Sequence, residues 1–328
     1  MKFKAYLIYM MVIILIAAFP QMIDILASQE IKMQVLYQEL QILSDSNQIS
    51  PIPNFHGFCY GTFRGLGPAT GEQAKAEYVQ EDLEILKRLN VTDIRTYGSG
   101  LNQHIIPQIA YDIGINCATG VWLDYNKVNN EIELQLGLSV ANVSSMLIIG
   151  NEVLLRHDLT ETELLEYISD AKNQSSDLIP ITTAETYDIW LDHPNLADAC
   201  DVLLVHVYPF WEGIQIAYAA SYTIEKLNLV QQAYPNKTIY LAEAGWPSSG
   251  RVDCSERYQN LFYEDLLPLV AQNQIKAYFF EAFDEAWKTE EGVGPHWGIF
   301  NKNRTPKESA MIFEEYFGGE VLFPPTCN

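Results

Sequence analysis

The stretch "TIYLAEAGWPSSG", residues 238–250, shows the pattern from which the fold is predicted. An apolar run leads directly into one acidic residue, and a rigid turn follows. The run 238–242 is typical of a strand that is buried on both faces. Glu243 stands where this strand would end, and Gly245, Trp246 and Pro247 interrupt further extended pairing. We therefore interpret Glu243 as the reactive tip of a buried strand and the turn as the element that places the indole of Trp246 beside it.

Seven other apolar, β-branched runs resemble this one, and they alternate with segments of helical periodicity. Eight such βα units in about 265 residues predict a single (β/α)₈ TIM barrel. A doubly wound open sheet is the structural alternative, but no G-x-G-x-x-G turn follows the first predicted strand. The eight predicted strands lie in "HGFCYGTF", "DIRTYGS", "NCATGVWLD", "SMLIIGNEV", "IPITTAET", "DVLLVHVYPF", "TIYLAEAGWP" and "AYFFEAFDE". The predicted helices cover 72–90, "HIIPQIAYDIG", 128–141, 161–174, "WLDHPNLADAC", 214–233, 256–272 and 307–316.

The composition indicates a globular chain with an acidic surface. Of the 328 residues, 48% are hydrophobic, which is enough for a large core. The 20 basic and 42 acidic side chains give a formal net charge of −22. This charge repels phosphate backbones and anionic membrane surfaces, so it argues against nucleic acid as a partner. Neutral or cationic ligands are compatible with it.

The N-terminus has the layout of a targeting segment. Lys2 and Lys4 precede an apolar run from Ala5 to Phe19, as in a secretory signal. The apolar character continues to residue 23, so an uncleaved membrane anchor over residues 5–23 remains an alternative, and a buried core helix is another. We expect the protein to be secreted, periplasmic or at the cell surface. The predicted divisions are a signal peptide or anchor (1–27), a linker (28–54), the barrel (55–320) and a C-terminal tail (321–328).

The cysteines and other metal-ligating residues predict neither a cofactor nor a metal. Five cysteines lack the spacing of a disulfide framework or a zinc site. Cys59 and Cys117 are interpreted as small core residues, and a bond between Cys254 and Cys327 is left open.

Acidic and aromatic residues stand at the predicted strand ends, and in a barrel these ends meet at one mouth. This combination suits a sugar, because aromatic rings pack on pyranose faces while carboxylates and amides bind hydroxyl groups. Glu152 and Glu243 would face each other there as a pair of reacting carboxylates. The residues predicted to contact substrate are Tyr97, Trp122, Asp124, Asn151, Glu185, Tyr208, Trp211, Trp246, Glu281, Asp284, Trp287 and Lys288.

Several of these residues have a second interpretation that the sequence leaves open. Asn151 either contacts the sugar 2-hydroxyl or caps a turn. Glu281 either supports Glu243 or forms an ion pair with Arg95. Glu185, together with His206, either tunes the protonation of Glu152 or completes a hydrogen-bond network.

The motifs that contain these residues resemble glycoside hydrolase family 17, the β-1,3-glucanases and related transglycosylases, and are most similar to its microbial branch. The resemblance covers residues 56 to about 307 and implies a (β/α)₈ barrel, a retaining mechanism and a β-1,3-glucan substrate. It implies that Glu152, in "GNE", is the acid/base and that Glu243, before "GWP", is the nucleophile. Lys288 matches a family lysine, whereas "FDE" in place of the plant members' "FNE" weakens the correspondence at Asp284 and Glu285. The motifs are "IIGNEVLLRHDLT", "LAEAGWPSSG", "DIRTYG", "GVWLD", "VHVYPFWEG" and "FFEAFDEAWK".

The expected reaction is attack of Glu243 on the anomeric carbon while Glu152 protonates the departing oxygen, which gives a covalent glycosyl-enzyme. Water as the second nucleophile makes a hydrolase, whereas a sugar hydroxyl makes a transglycosylase that remodels glucan. Cleavage of a different β-glycan is a further alternative. A non-catalytic glucan-binding surface protein is the alternative from another functional class.

Overall fold

Eight parallel strands close into a barrel in the order of the chain, so the predicted (β/α)₈ fold is confirmed. The computed structural model describes residues 55–175 and 179–321. The predicted signal or anchor (1–27), the whole predicted linker (28–54), the residues after 321 and hence Cys327 lie outside the described residues. The strands are β1 (Gly57–Cys59), β2 (Asp93–Arg95), β3 (Asn116–Val121), β4 (Met146–Asn151), β5 (Ile181–Thr186), β6 (Val202–His206), β7 (Thr238–Glu243) and β8 (Lys276–Phe279).

Closure is made by β1 pairing with β8, where Gly57 is opposite Tyr278. Two register shifts interrupt the ladders, one between Ile148 and Asn151 in β4 and one between Val205 and His206 in β6. Such irregularities re-aim side chains and are common beside active sites. Both occur at the carboxyl ends of their strands, so they determine how the side chains at the barrel mouth are presented.

Helices surround the barrel and follow the strands. Among the described residues they are α1 (Ala76–Arg88), α2 (Ile106–Ile113), α3 (Lys127–Ser139), α4 (Glu161–Gln174), α5 (Tyr187–Asp192), α6 (Pro194–Ala199), α7 (Ile216–Ala233), α8 (Glu256–Gln272) and α9 (Glu308–Phe317). Short 3₁₀ segments lie at Pro68–Thr70, Gln103–Ile105, Ala141–Val143, Glu290–Gly292 and Gly294–His296.

Two predicted helices differ from the structure for identifiable reasons. The helix predicted from residue 72 begins only at Ala76, because the carboxylate of Glu72 instead accepts the backbone N–H groups of Arg64, Gly65 and Gly67. The segment "WLDHPNLADAC" forms two short helices, since Pro194 fits the first turn of a helix but not its interior.

The core has an inner and an outer layer. The inner cluster fills the barrel with small and aromatic side chains, which include Cys59, Ala118, Ala184, Tyr240 and Tyr278. The outer cluster packs the strands against the helices and contains Cys117, so both cysteines predicted as core residues are buried. Among residues 55–175 and 179–321, no helix combines the length and the apolar character needed to cross a bilayer.

Candidate active site

Glu243 ends β7, and its buried carboxylate is held by two donors. Arg95, fully buried at the end of β2, donates to Oε1 of Glu243, and the hydroxyl of Tyr208 donates to Oε2. Nη2 of Arg95 donates to the amide oxygen of Asn151, which ends β4. Although burial alone would raise the pKa of Glu243, His206, Arg95 and the Tyr208 hydrogen bond hold this pKa below its usual value. The site therefore stabilises an ionised carboxylate.

Glu152 directly follows β4 and faces the same mouth. Its backbone lies in the left-handed region with φ 52°, a conformation that costs a non-glycine residue about 1–3 kcal/mol. His206 bridges the two acids: Nδ1 lies 2.7 Å from Oε1 of Glu152, and Nε2 lies 3.4 Å from Oε1 of Glu243. Single oxygens of the two carboxylates and a His206 nitrogen all lie within 4.8 Å of one another. The Glu152 side chain is 22% exposed and that of Glu243 is 5% exposed, so Glu152 is the more accessible acid.

Glu185 lies in β5 below the loop that carries Glu152. Its Oε1 accepts the backbone N–H of Leu154 at 2.8 Å. Burial, assisted by the charge of Glu152, raises the pKa of Glu185 to about 7. Glu185 therefore supports the Glu152 loop through its backbone.

A cleft of about 1390 Å³ opens above these residues at the carboxyl ends of the strands. Its lining combines aromatic rings with acids and a single lysine, Lys288. The sequence-predicted residues that the structure brings together in this lining are Tyr97, Trp122, Asp124, Asn151, Glu152, Tyr208, Trp211, Glu243, Trp287 and Lys288.

Residues 57–298 match the family model of the BtgE/BtgC glycoside hydrolase domain, which covers more than half of the chain. The chain belongs to this family. This match, a curated glucan endo-1,3-beta-glucosidase and a family 17 glucanosyltransferase together confirm the resemblance to the microbial branch of glycoside hydrolase family 17.

Two kinds of relative agree with this assignment. The glucan endo-1,3-beta-glucosidase btgC of Emericella nidulans is 30% identical over 71% of this chain and 42% of its own length. The chain thus spans about two fifths of that curated relative. A family 17 beta-1,3-glucanosyltransferase from Rhizomucor miehei superposes with a TM-score of 0.69 at 27% identity, over 79% of this chain and 97% of that one. An active-site mutant of the Rhizomucor enzyme in complex with laminaritriose superposes with a TM-score of 0.68 at 25% identity, again over 79% of this chain and 97% of that one.

The family's "GWP" turn is present, but it does not place an indole in the cleft. Trp246 is only 3% exposed, and its Nε1 donates to the carbonyl of Asp253 at 3.1 Å. Its ring packs against Phe210 with centroids 5.3 Å apart. The structure therefore does not bring Trp246 to the cleft surface, where the sequence predicted that its indole would contact substrate. The turn needs a glycine at position 245, because a Cβ there would lie 2.1 Å from the carbonyl oxygen of Phe280.

The ion pair considered between Arg95 and Glu281 does not form. Arg95 binds Glu243, while Glu281 binds Lys288 at 2.6 Å, and Lys288 also contacts Glu285 at 2.6 Å. Burial raises the pKa of Glu281 well above its usual value, and the charge of Lys288 opposes this rise. Glu281 thus lies below the cleft lining and anchors the lysine that reaches it.

Asp284 also lies outside the cleft lining. Its Oδ1 accepts hydrogen bonds from Lys307 at 2.7 Å and from the backbone N–H of Gly298 at 2.9 Å. Both partners belong to the segment after β8, so Asp284 holds that segment to the barrel. Glu185, Trp246, Glu281 and Asp284 are the predicted contact residues that the structure does not bring to the cleft surface.

Several lining residues were missed because they stand beyond the predicted strand ends. Tyr125 is 80% exposed in the loop after β3, one residue after a predicted site residue, and a scan of whole loops would have found it. Glu133 lies on α3, where no local sequence signal distinguishes it from a solvent-facing acid. The other missed lining residues with polar or aromatic side chains include Gln103, Asn129, Asp188, Glu212 and Glu290, while Phe63 was missed although it ends the first predicted strand.

Within the described part of the chain, one group of side chains has the geometry for a metal ion: Glu152, His206 and Glu243. The guanidinium of Arg95 already donates to the Glu243 oxygen that faces His206. A second cation would be repelled by this buried positive charge.

Proposed function

We propose that this protein cleaves β-1,3-glucan as a retaining β-glycosidase, with Glu243 as the nucleophile and Glu152 as the acid/base. The observation that carries the proposal is the carboxylate pair, whose oxygens approach within 4.8 Å. Retaining enzymes hold their two carboxyl groups about 5–5.5 Å apart, whereas inverting enzymes need about 6.5–9.5 Å to admit a water molecule. With one oxygen of each acid within 4.8 Å of the other, the pair is nearer to the retaining spacing than to the inverting one, which supports attack by one carboxylate on the sugar itself.

The surroundings of the two acids support their separate roles. A nucleophile must be ionised, and Arg95 and Tyr208 stabilise the ionised form of Glu243. An acid/base must exchange protons with the leaving oxygen and with the incoming acceptor, and Glu152 is the acid with solvent access. His206 contacts both acids and orients Glu152 through Nδ1.

The proposed reaction has two displacements. In the first, a Glu243 oxygen bonds to the anomeric carbon, the glycosidic bond breaks, and the proton of Glu152 passes to the departing oxygen. In the second, Glu152 removes a proton from the acceptor, whose oxygen bonds to the anomeric carbon as the bond to Glu243 breaks. The products retain the β configuration, and both carboxyl groups return to their starting protonation states.

A neutral glucan is the substrate class that the cleft and the relatives support. Aromatic side chains contribute to the lining, and acids outnumber its single lysine. This lining can bind hydroxyl groups and stack on sugar faces, but it would repel an anionic chain. The similarity to a β-1,3-glucanase and to a β-1,3-glucanosyltransferase supports the β-1,3 linkage.

Transfer to a sugar hydroxyl is the second candidate, since the Rhizomucor enzyme that this chain covers almost entirely is named a glucanosyltransferase. A time course with laminarihexaose labelled at its reducing end and read by mass separates the candidates. Shorter labelled products alone would establish hydrolysis, whereas products longer than the hexamer would establish transfer. An intact hexamer with a folded protein would contradict catalysis on β-1,3-glucan and leave binding or another linkage.

The catalytic assignment is tested by the variants Glu243→Gln and Glu152→Ala, with the exposed Glu264→Gln as a matched control. We expect Glu243→Gln to lose activity by orders of magnitude while its thermal unfolding midpoint stays close to that of the wild type. On an aryl β-glucoside whose leaving group departs without protonation, azide should restore turnover to Glu152→Ala and give a β-glycosyl azide, because a small anion needs no general base. Near-normal turnover of Glu243→Gln would refute the nucleophile assignment.

We also propose that the barrel acts outside the cytoplasm, either secreted or anchored by residues 5–23. The basic residues before a long apolar run at the N-terminus support this proposal. N-terminal sequencing of the protein recovered from the culture medium and from the membrane fraction separates cleavage near residue 27 from retention as an anchor. Recovery of the full chain in the cytoplasm alone would contradict both.

A further inference from the structure

The carboxylate of Glu133 accepts backbone N–H groups from two loops of the cleft. Its Oε2 accepts hydrogen bonds from the backbone N–H groups of Ser99 at 2.6 Å and Trp122 at 3.2 Å. Its Oε1 accepts one from the backbone N–H of Gly100 at 2.8 Å. Ser99 and Gly100 follow β2, and Trp122 follows β3. One side chain from a helix therefore ties together two neighbouring loops at the barrel mouth.

The fold brings this carboxylate to the mouth by placing α3 unusually close to β3. Gly137 lies one turn after Glu133, and a Cβ at that position would be only 2.4 Å from Cγ2 of Val121. Residues four apart share one face of a helix. The close approach at Gly137 thus carries Glu133 into the cleft lining, where it is partly buried.

The loop with Trp122 is also linked to the acid/base. The guanidinium of Arg156 stacks 4.3 Å from the Trp122 ring, and it donates to the carbonyl of Leu123 at 2.8 Å. Arg156 also donates to the carbonyl of Asn151, the residue directly before Glu152. The position of Trp122 relative to Glu152 is therefore set by two groups: Arg156 on the ring and Glu133 on the backbone.

We propose that Glu133 is a positioning residue that holds Trp122 as a sugar platform beside Glu152 and thereby sets the affinity for glucan on this side of the cleft. This inference rests on the function proposed above. A carboxylate suits the role because it is purely an acceptor and can satisfy three N–H donors at once. Glutamine has the same shape, but its NH₂ group would face an N–H donor, so at least one bond is lost. Burial raises the pKa of Glu133, and the three N–H bonds oppose that rise.

The test compares Glu133→Gln, Trp122→Ala and the double variant in the full chain, with Glu131→Gln as the matched control. Glu131 lies on the same helix, but it is exposed and its carboxylate accepts from Gln135 of the same helix. For Glu133→Gln we expect a rise of about tenfold in KM, because a loosened Trp122 loop occupies its binding position only part of the time. We expect kcat to stay within about twofold, because the platform binds ground state and transition state alike.

Two further results distinguish positioning of Trp122 from general loosening of the fold. The KM of Glu133→Gln should rise for the same laminari-oligosaccharide lengths as that of Trp122→Ala, since both changes affect one sugar position. The KM of the double variant should be no higher than that of Trp122→Ala alone. Additive losses, or a fall in kcat with unchanged KM, would overturn the proposal.

Amide hydrogen exchange tests the same inference without a substrate. Glu133→Gln should accelerate exchange at Ser99, Gly100 and Trp122, whereas Glu131→Gln should leave it unchanged. Unchanged exchange in Glu133→Gln would contradict the positioning role. If the wild type leaves every laminari-oligosaccharide intact, the proposed function fails, while the exchange result still decides the role of Glu133.

Discussion

Replacing Tyr208 with phenylalanine tests how the ionised form of Glu243 is stabilised. The Tyr208 hydroxyl donates to Oε2 of Glu243. The ring itself packs edge-on against Phe280 and Trp297, with centroids 5.6 and 5.5 Å away. Phenylalanine keeps this packing, so Tyr208→Phe removes one hydrogen bond and little else.

The loss of this hydrogen bond should lower kcat/KM and shift its pH dependence. A hydrogen bond to a charged group contributes about 1.5–3 kcal/mol, which corresponds to a loss of about ten- to a hundredfold in kcat/KM. The lost donor favoured the ionised carboxylate, so its removal raises the pKa of Glu243. The acid limb of the kcat/KM profile should therefore move to higher pH. Arg95 still binds the other oxygen and preserves part of the activity.

The assay is the pH dependence of kcat/KM on labelled laminarihexaose. Tyr316→Phe is the matched control, because its hydroxyl donates to the carbonyl of Leu267 at 2.5 Å, between two outer helices. We expect the control to reproduce the wild-type profile. A wild-type rate and an unmoved acid limb in Tyr208→Phe would refute the view that this hydroxyl stabilises the ionised form of Glu243.

Three further predictions concern stability. Burial raises the pKa of Glu185 from 4.5 to about 7, so between these two pH values the native state binds a proton that the unfolded chain has lost. The free energy of unfolding therefore falls by about 3 kcal/mol as pH rises from about 4.5 to about 7. Glu185→Gln should flatten this slope in urea unfolding at about pH 5 and about pH 8, and an unchanged slope would contradict the assignment. Gly245→Ala should lower the free energy of unfolding by about 1–3 kcal/mol through its clash with the Phe280 carbonyl, and calorimetry showing equal stability would exclude that clash. Lys288→Met should cost about 3–5 kcal/mol because two buried carboxylates lose their cation, while Lys288→Arg should recover most of the loss in the same experiment.

Much of the fold was predictable because its signals are local. Apolar β-branched runs alternating with helical periodicity indicated all eight strands of the barrel. The helix 161–174 was predicted with its observed bounds, and its start is a capping box between Thr160 and Glu163, three residues apart. The start of α1 was not predictable, because Glu72 leaves the helix to bind loop amides that precede it by five to eight residues.

The sequence by itself determined that Glu152 and Glu243 would meet, because each follows or ends a strand and the barrel topology brings all strand ends to one mouth. Only the tertiary structure decided that Arg95 binds Glu243 rather than Glu281 and that Trp246 turns into the core. It also decided that Glu133 reaches the cleft from a helix. These choices depend on distances and packing between residues far apart in the chain, where several partners of equal chemistry compete. Sequence order places a residue on an element, whereas the closed barrel determines which partner its side chain can reach.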